Sequence, residues 1–195
     1  MGDIAWDTAT WLNRPPKVRP DGDDLLVTTG PATDFWRTTG YGYVRDSGHA
    51  LLTDFPVDSA VEVSYVAELD ELYDQAGLLI RVNPSMWVKA GTELTDDATH
   101  VSTVVTNEVS DWSQAPVPDW SGREITIRAS RAGDAVTIRA RAADDPWRTI
   151  RLAPLSPDAA ATAGPYCCTP ERSGLTVRFT RYTTGPADAA LHTTP

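Results

Sequence analysis

Cysteine is nearly absent from this chain of 195 residues: only Cys167 and Cys168 occur, and they are adjacent. Adjacent cysteines cannot staple distant parts of a fold, so no disulfide framework is expected. Reduced thiols in a cytosol are the expected state, with a vicinal disulfide as the less common alternative. Histidine is scarce too. His49, His100 and His192 are scattered and, beside two sulfurs, make no zinc-ligand pattern. Basic residues are outnumbered, 17 against 27 acidic, for a net charge of −10. That balance argues against a nucleic-acid backbone or an anionic membrane surface as partner, and selects no other. No apolar run approaches the roughly 20 residues of a membrane helix. The start, MGDIAWDTATWLN, has neither the basic opening nor the apolar stretch of a signal peptide, and Trp6 occupies the position where a myristoylation signal has Ser or Thr. A sustained helical period is missing as well; SPDAAATAG (156–164) reads as a loop or a single turn.

What is present is short β-rich segments between turn formers. LLVTT (25–29), HALLTDF (49–55), AVEVSYVAEL (60–69), HVSTVVTN (100–107), EITIRAS (124–130), AVTIRAR (135–141), WRTIRLA (147–153) and LTVRFTRY (175–182) all read as strands. AGD (132–134) and DDPW (144–147) mark turns. Ten to twelve strands at this spacing predict an all-β sandwich or barrel. No linker or repeat divides residues 1–195, which read as one domain. RPPKVRP and the tail 183–195 read as peripheral.

Residues 73–94, YDQAGLLIRVNPSMWVKAGTEL, predict a hairpin turning at Asn83–Ser85. Because side chains alternate across a strand, one face carries Ala76, Leu78, Ile80, Val82, Val88, Ala90 and Thr92, an ordinary core. The other carries Gln75, Gly77, Leu79 and Arg81 beside Trp87, Lys89, Gly91 and Glu93. The strands from 60 to 107 are expected as consecutive neighbours in one sheet, whose polar outer face would carry a binding groove.

The ordered set TDFW (33–36), TTGYGY (38–43), GHAL (48–51), YDQAGLLIR, WVKAGTE, STVVTNEVSDWS (102–113) and PYCCTPERSGLTVRFT (165–180) resembles a domain-of-unknown-function family. Its members are described as regulation-of-enolase-like proteins of the concanavalin A-like lectin/glucanase superfamily. The resemblance covers residues 11–182. It implies an antiparallel jelly-roll of two sheets, one concave, and brings no established activity with it. The family motif has a bulky or hydroxyl residue after Lys89 and an aliphatic one before Glu93. Ala90 and Thr92 stand there instead, both on the core-facing side by alternation.

Chemistry-bearing patterns are few. A retaining glycosidase needs two carboxyl groups about 5–5.5 Å apart, which the superfamily's glucanases present as Glu-x-Asp-x-x-Glu. ELDELY (68–73) comes nearest and ends in Tyr73. No serine sits in a nucleophile elbow, and His49 reads as structural. DELYD (70–74) and TDDAT (95–99) lack the spacing of a calcium loop, so neither metal nor cofactor is expected. The ligand-site candidates are Trp36, Tyr41, Gln75, Trp87, Lys89, Glu93, Asp111 and Trp112, with Trp87, Lys89 and Glu93 partly exposed and Gly77 and Gly91 leaving room between side chains. Lys89 would pair with Glu62 or Asp111, and Glu93 with Arg81. The expected ligand is a saccharide or other polar small molecule bound by a cytosolic protein. The alternatives are an enzyme using Glu93 as general acid/base beside Lys89, and a module that regulates a metabolic enzyme by protein contact.

Overall fold

Alternation of apolar and polar residues governs almost every segment, and the chain answers it with strands. A computed structural model describes residues 1–192. The strands are β1 (Gly2–Asp3), β2 (Thr10–Leu12), β3 (Lys17–Asp21), β4 (Asp24–Thr28), β5 (Phe35–Arg37) and β6 (Val44–Asp46). They continue with β7 (His49–Asp54), β8 (Ser59–Val66), β9 (Gln75–Asn83), β10 (Met86–Thr95), β11 (Ala98–Asn107) and β12 (Val109–Pro116). The last are β13 (Ile125–Ala132), β14 (Ala135–Ala142), β15 (Arg148–Pro154), β16 (Thr162–Cys168) and β17 (Thr176–Pro186). Among the described residues the helical elements are two single 3₁₀ turns, at Trp6–Thr8 and Pro118–Trp120.

Two antiparallel sheets stack as a jelly-roll sandwich. The first runs β15-β14-β13-β8-β17-β4-β3, with β1 on β17, and the second runs β12-β11-β10-β9-β16-β7-β2. Leu78, Ile80, Val88 and Ala90 of the second sheet are buried in one apolar cluster with Val61, Val63, Ile127 and Ile138 of the first. These are the residues that period-2 alternation assigns to the inside.

Residues 60–107 are not neighbours in one sheet. β8 lies between β13 and β17 in the first sheet, and the chain crosses to the second through 67–74. Polar side chains also pair laterally across these strands. Glu62 accepts from Arg128 of β13 at 2.8 Å, and Ser64 bonds Thr126 at 2.9 Å.

The segment read as loop, 156–164, contains the start of β16. This strand lies between β9 and β7, with Pro165 inside it. Its ladder to β7 pairs Ala163 with Thr53, lapses at Gly164 and Pro165, and resumes at Tyr166 with Ala50. A proline in a central strand normally argues against one; here the lapse absorbs its missing N–H.

The tail is also placed differently. Residues 183–186 belong to β17, well inside the first sheet, and RPPKVRP supplies the edge strand β3. Beyond β17, Asp188 is clamped by Arg128, through Nε at 2.9 Å and a terminal nitrogen at 2.6 Å, and by Arg139. Arg139 also donates to the Leu191 carbonyl at 2.7 Å, so the tail is held to the first sheet's outer face as far as Leu191, and 193–195 lie outside the described residues.

Candidate functional site

The outer face of the second sheet is not bare. β5 and β6 form a hairpin, Phe35 opposite Asp46, that lies across it and seals a second apolar cluster. Phe35, Leu79, Trp87, Val104, Tyr166 and Cys168 are buried there. Both arms of the hairpin are fastened. Arg81 of β9 donates two bonds of 2.7 Å to the Asp46 carboxylate, a paired geometry that fixes orientation as well as distance. Arg37 donates from its backbone N–H to Ser110 Oγ at 3.0 Å, and from Nε to the Glu108 carbonyl at 2.9 Å.

Between this cover and the sheet opens a pocket floored by Asp34, Gln75, Lys89 and Glu93 and walled by Trp36, Tyr41, Tyr43, Tyr73 and Trp112. Its half-enclosed space is about 30 Å³, room for about two water molecules. Lys89 Nζ donates to Gln75 Oε1 at 2.7 Å and to Asp34 Oδ1 at 3.2 Å. Gln75 Nε2 donates in turn to the Tyr73 carbonyl at 3.1 Å, which orients its amide. Asp34 is steadied by the Phe35 N–H at 2.8 Å. Asp74 anchors the loop behind this floor: fully buried, it is gripped by Arg172 and accepts from the N–H groups of Asp70 and Glu71.

Glu93 is buried, yet among the described residues it forms no salt bridge. Burial pushes its carboxyl above the ordinary value of 4.5, while the Lys89 ammonium and a hydrogen bond from Ser102 pull the other way. The Ser102 hydroxyl is free to donate, because its oxygen already accepts from Trp112 Nε1 at 3.0 Å. For Lys89, burial works against the charge, but the neighbouring Asp34 carboxylate, helped by Glu93, outweighs it and holds the ammonium above its usual value.

The rings meet at steep angles. Trp36 is edge-on to Tyr41 (centroids 5.4 Å apart) and to Trp112 (6.2 Å), and Tyr41 stacks on Tyr43 at 5.6 Å. The Tyr41 and Tyr73 hydroxyls are 3.1 Å apart at the mouth. The Tyr41 loop turns tightly, with positive φ at Thr38, Gly40 and Gly42, and Trp36 Nε1 donates to its Thr39 carbonyl at 2.9 Å.

Residues 11–187 match the family model described as "Protein of unknown function (DUF1349)". The chain belongs to this family. The chain is 38% identical over 184 residues to Regulation of enolase protein 1 of Saccharomyces cerevisiae, covering 94% of this chain and 92% of that protein. A crystal structure of a functionally unknown S. cerevisiae protein superposes with a TM-score of 0.89 at 34% identity, over 95% of this chain and all of the other. A xylan β-1,4-xylosidase from Bacillus halodurans C-125 shares the fold at a TM-score of 0.66 and 11% identity, over 85% of this chain but 33% of the enzyme. The family thus shares a β-sandwich with carbohydrate-active enzymes, a likeness of fold alone.

Of the residues singled out in the sequence, Trp36, Tyr41, Gln75, Lys89, Glu93 and Trp112 line this pocket. Trp87 does not: it is 2% exposed and packs on Phe35, centroids 6.0 Å apart, as part of the second core. Asp111 is exposed and ties β12 to β15 through Arg151 at 2.6 Å. The expected pairings also differ, since Glu62 is taken by Arg128 and Arg81 by Asp46. Lys89 and Glu93, expected to be partly exposed, are 3% and 5% exposed because the β5–β6 hairpin roofs them. Gly77 and Gly91 face each other across β9 and β10, and a Cβ on either would lie 2.1 Å or less from a backbone oxygen of the partner strand. They are there for close backbone approach.

Asp34, Tyr43, Tyr73 and Ser102 were missed. Asp34 sits inside the TDFW motif, and Ser102 is one strand from Glu93, so only a pairing register could have linked them. Elsewhere, polar residues are spent on structure. His49 Nδ1 donates to the Asn13 carbonyl at 2.5 Å and its Nε2 accepts from the Gly30 N–H at 3.0 Å. Asp96 and Asp97 of TDDAT form the β10–β11 turn, both at positive φ. The carboxylates of ELDELY lie in the crossover after β8, so no glucanase-type strand forms. Among the described residues, no group of three His, Cys, Asp or Glu is placed to hold a metal. Cys167 and Cys168 are both free and buried on opposite faces of β16.

Proposed function

We propose that this protein binds a saccharide end-on in the β9–β12 pocket. The observation that carries the reading is the joining of an aromatic mouth to a floor of four buried polar side chains whose orientations are already set. Aromatic rings supply apolar surface for the C–H face of a sugar, and the floor supplies hydroxyl partners. Gln75 and Asp34 are held by Lys89, so little ordering is left for the ligand to impose, a condition that favours affinity. The enclosed space is far below the roughly 300–1,000 Å³ of pockets that swallow a whole ligand. Only the terminal group of a sugar enters, and the ring rests against Tyr41 at the mouth.

Among the described residues, no helix is long and apolar enough to cross a membrane. Two free buried thiols are in keeping with a reducing cytosol. The test is a thermal-shift screen with mono- and oligosaccharides. A ligand at 100 times its Kd should stabilise the fold by about 2.7 kcal/mol, and Tyr41→Ala, at a site 46% exposed, should weaken that response. A panel in which no saccharide shifts the transition would sink the proposal.

A second reading is supported by Glu93, a carboxyl that is buried, opens onto the pocket and has its pKa raised by burial, the direction in which a general acid is tuned. In that case Glu93 is the general acid/base of a sugar-directed enzyme and Lys89 sets its charge. Turnover of chromogenic glycosides that Glu93→Gln abolishes would select it; binding without turnover leaves the first reading. Regulation by protein contact, as the yeast relative's name suggests, fits less well, because the site is a recess rather than a flat face.

A further inference from the structure

We infer that the group entering the pocket is an ammonium, so that the preferred saccharide is an amino sugar with a free amine; this rests on the saccharide reading above. The first support is a charge left over. Lys89 and Asp34 face each other at 3.2 Å and cancel, and the remaining floor acceptor of Lys89 is the neutral Gln75 amide. Glu93 then contributes a buried carboxyl that, among the described residues, makes no salt bridge and opens onto the pocket. A carboxylate held that way is costly until a cation meets it.

The walls point the same way. Trp36, Tyr41, Tyr43, Tyr73 and Trp112 surround one small space, with Trp36 perpendicular to Trp112. Several aromatic rings around a small volume, with an acidic group at the base, form the environment that stabilises an organic ammonium through the negative faces of the rings. A carboxylated sugar would instead bring a second anion onto Glu93, and a neutral sugar would leave it with only the Lys89 ammonium that Asp34 already engages. The space itself suits a group about the size of an ammonium and not a pyranose ring.

The chemistry is the ammonium group, and its sources are separated by the ligands used. Isothermal titration of the whole chain at neutral pH with glucosamine, glucose, N-acetylglucosamine and choline decides it. Glucosamine should bind at least about tenfold tighter than glucose or N-acetylglucosamine, whose amine is capped and uncharged. Glu93→Gln should bring the glucosamine-to-glucose ratio to within about threefold of unity. If glucose matches glucosamine, the ammonium inference is overturned while the saccharide reading stands. If choline binds and no sugar does, the inference stands and the saccharide reading falls. Absence of binding by all four overturns both, and these wild-type titrations decide the matter even if Glu93→Gln fails to fold.

Discussion

Lys89 Nζ and Asp34 Oδ1 are 3.2 Å apart, although 55 residues separate them in the chain, and neither side chain is more than 8% exposed. This pair fastens the base of the covering hairpin to the sheet: Asp34 immediately precedes that hairpin, and Lys89 stands on a central strand of the sheet beneath. The floor of the candidate site is therefore also part of the fold.

Lys89→Ala should destabilise the protein by about 3–5 kcal/mol, because it leaves the Asp34 carboxylate buried without its partner. Surface ion pairs cost far less, about 0–1 kcal/mol, and the exposure expected from alternation alone would have put this one in that class. The double variant Asp34→Asn with Lys89→Met should recover more than half of the loss. Urea denaturation of Lys89→Ala, of the single variants Asp34→Asn and Lys89→Met, and of their double measures it, and simple additivity of the two single losses would contradict a direct pair.

The Glu93 carboxyl, raised above 4.5 by burial, predicts a pH trend. A folded-state value above the unfolded one means that the native protein holds the proton more tightly. That contribution to stability is complete below pH 4.5 and is lost as pH rises through the raised folded value. Glu93→Gln removes the titration. Relative to wild type, the variant should therefore gain stability as pH climbs from 4 toward 7, as thermal melts of the two proteins side by side would show. A difference that does not change with pH would mean that Glu93 is not held this way.

Gly77→Ala should disturb the β9–β10 ladder, since the added carbon would sit 2.1 Å from the Ala90 carbonyl oxygen and only backbone movement relieves that. A loss of about 1–3 kcal/mol or more is expected. Amide exchange should quicken along β9 and β10 and little elsewhere.

Leu78→Ala, on the opposite face of the same strand, should cost about 2–5 kcal/mol through lost transfer energy and the cavity left behind. Its side chain belongs to the core between the sheets, whereas the pocket lies outside the second sheet. Ligand affinity of the folded fraction should stay near that of wild type. A parallel collapse of affinity, measured by titration below the denaturation midpoint, would show that the two faces are coupled.

Alternation in the sequence determined which residues of β9 and β10 face inward, because a strand has one period and its two faces cannot exchange members without a slip of register. Leu78, Ile80, Val88 and Ala90 on one side, and Gln75, Lys89 and Glu93 on the other, were legible for that reason. The same local rule could not say what covers each face. Trp87 stands on the polar face and is nonetheless core, because Phe35 arrives on top of it from 52 residues earlier. Nor could it distinguish a strand that continues its sheet from one that crosses to the other, so β8 was placed beside β9. The strands that flank β8, β13 and β17, are remote from it in sequence, as is the Arg128 that pairs with Glu62. Tertiary structure alone decided that Lys89 meets Asp34, that Glu93 is buried without a salt-bridge partner among the described residues, and that five rings share one small space. Each of these depends on the β5–β6 hairpin folding over a sheet whose strands come from elsewhere in the chain, a placement set by long-range packing and by the Arg81–Asp46 clamp rather than by any local pattern.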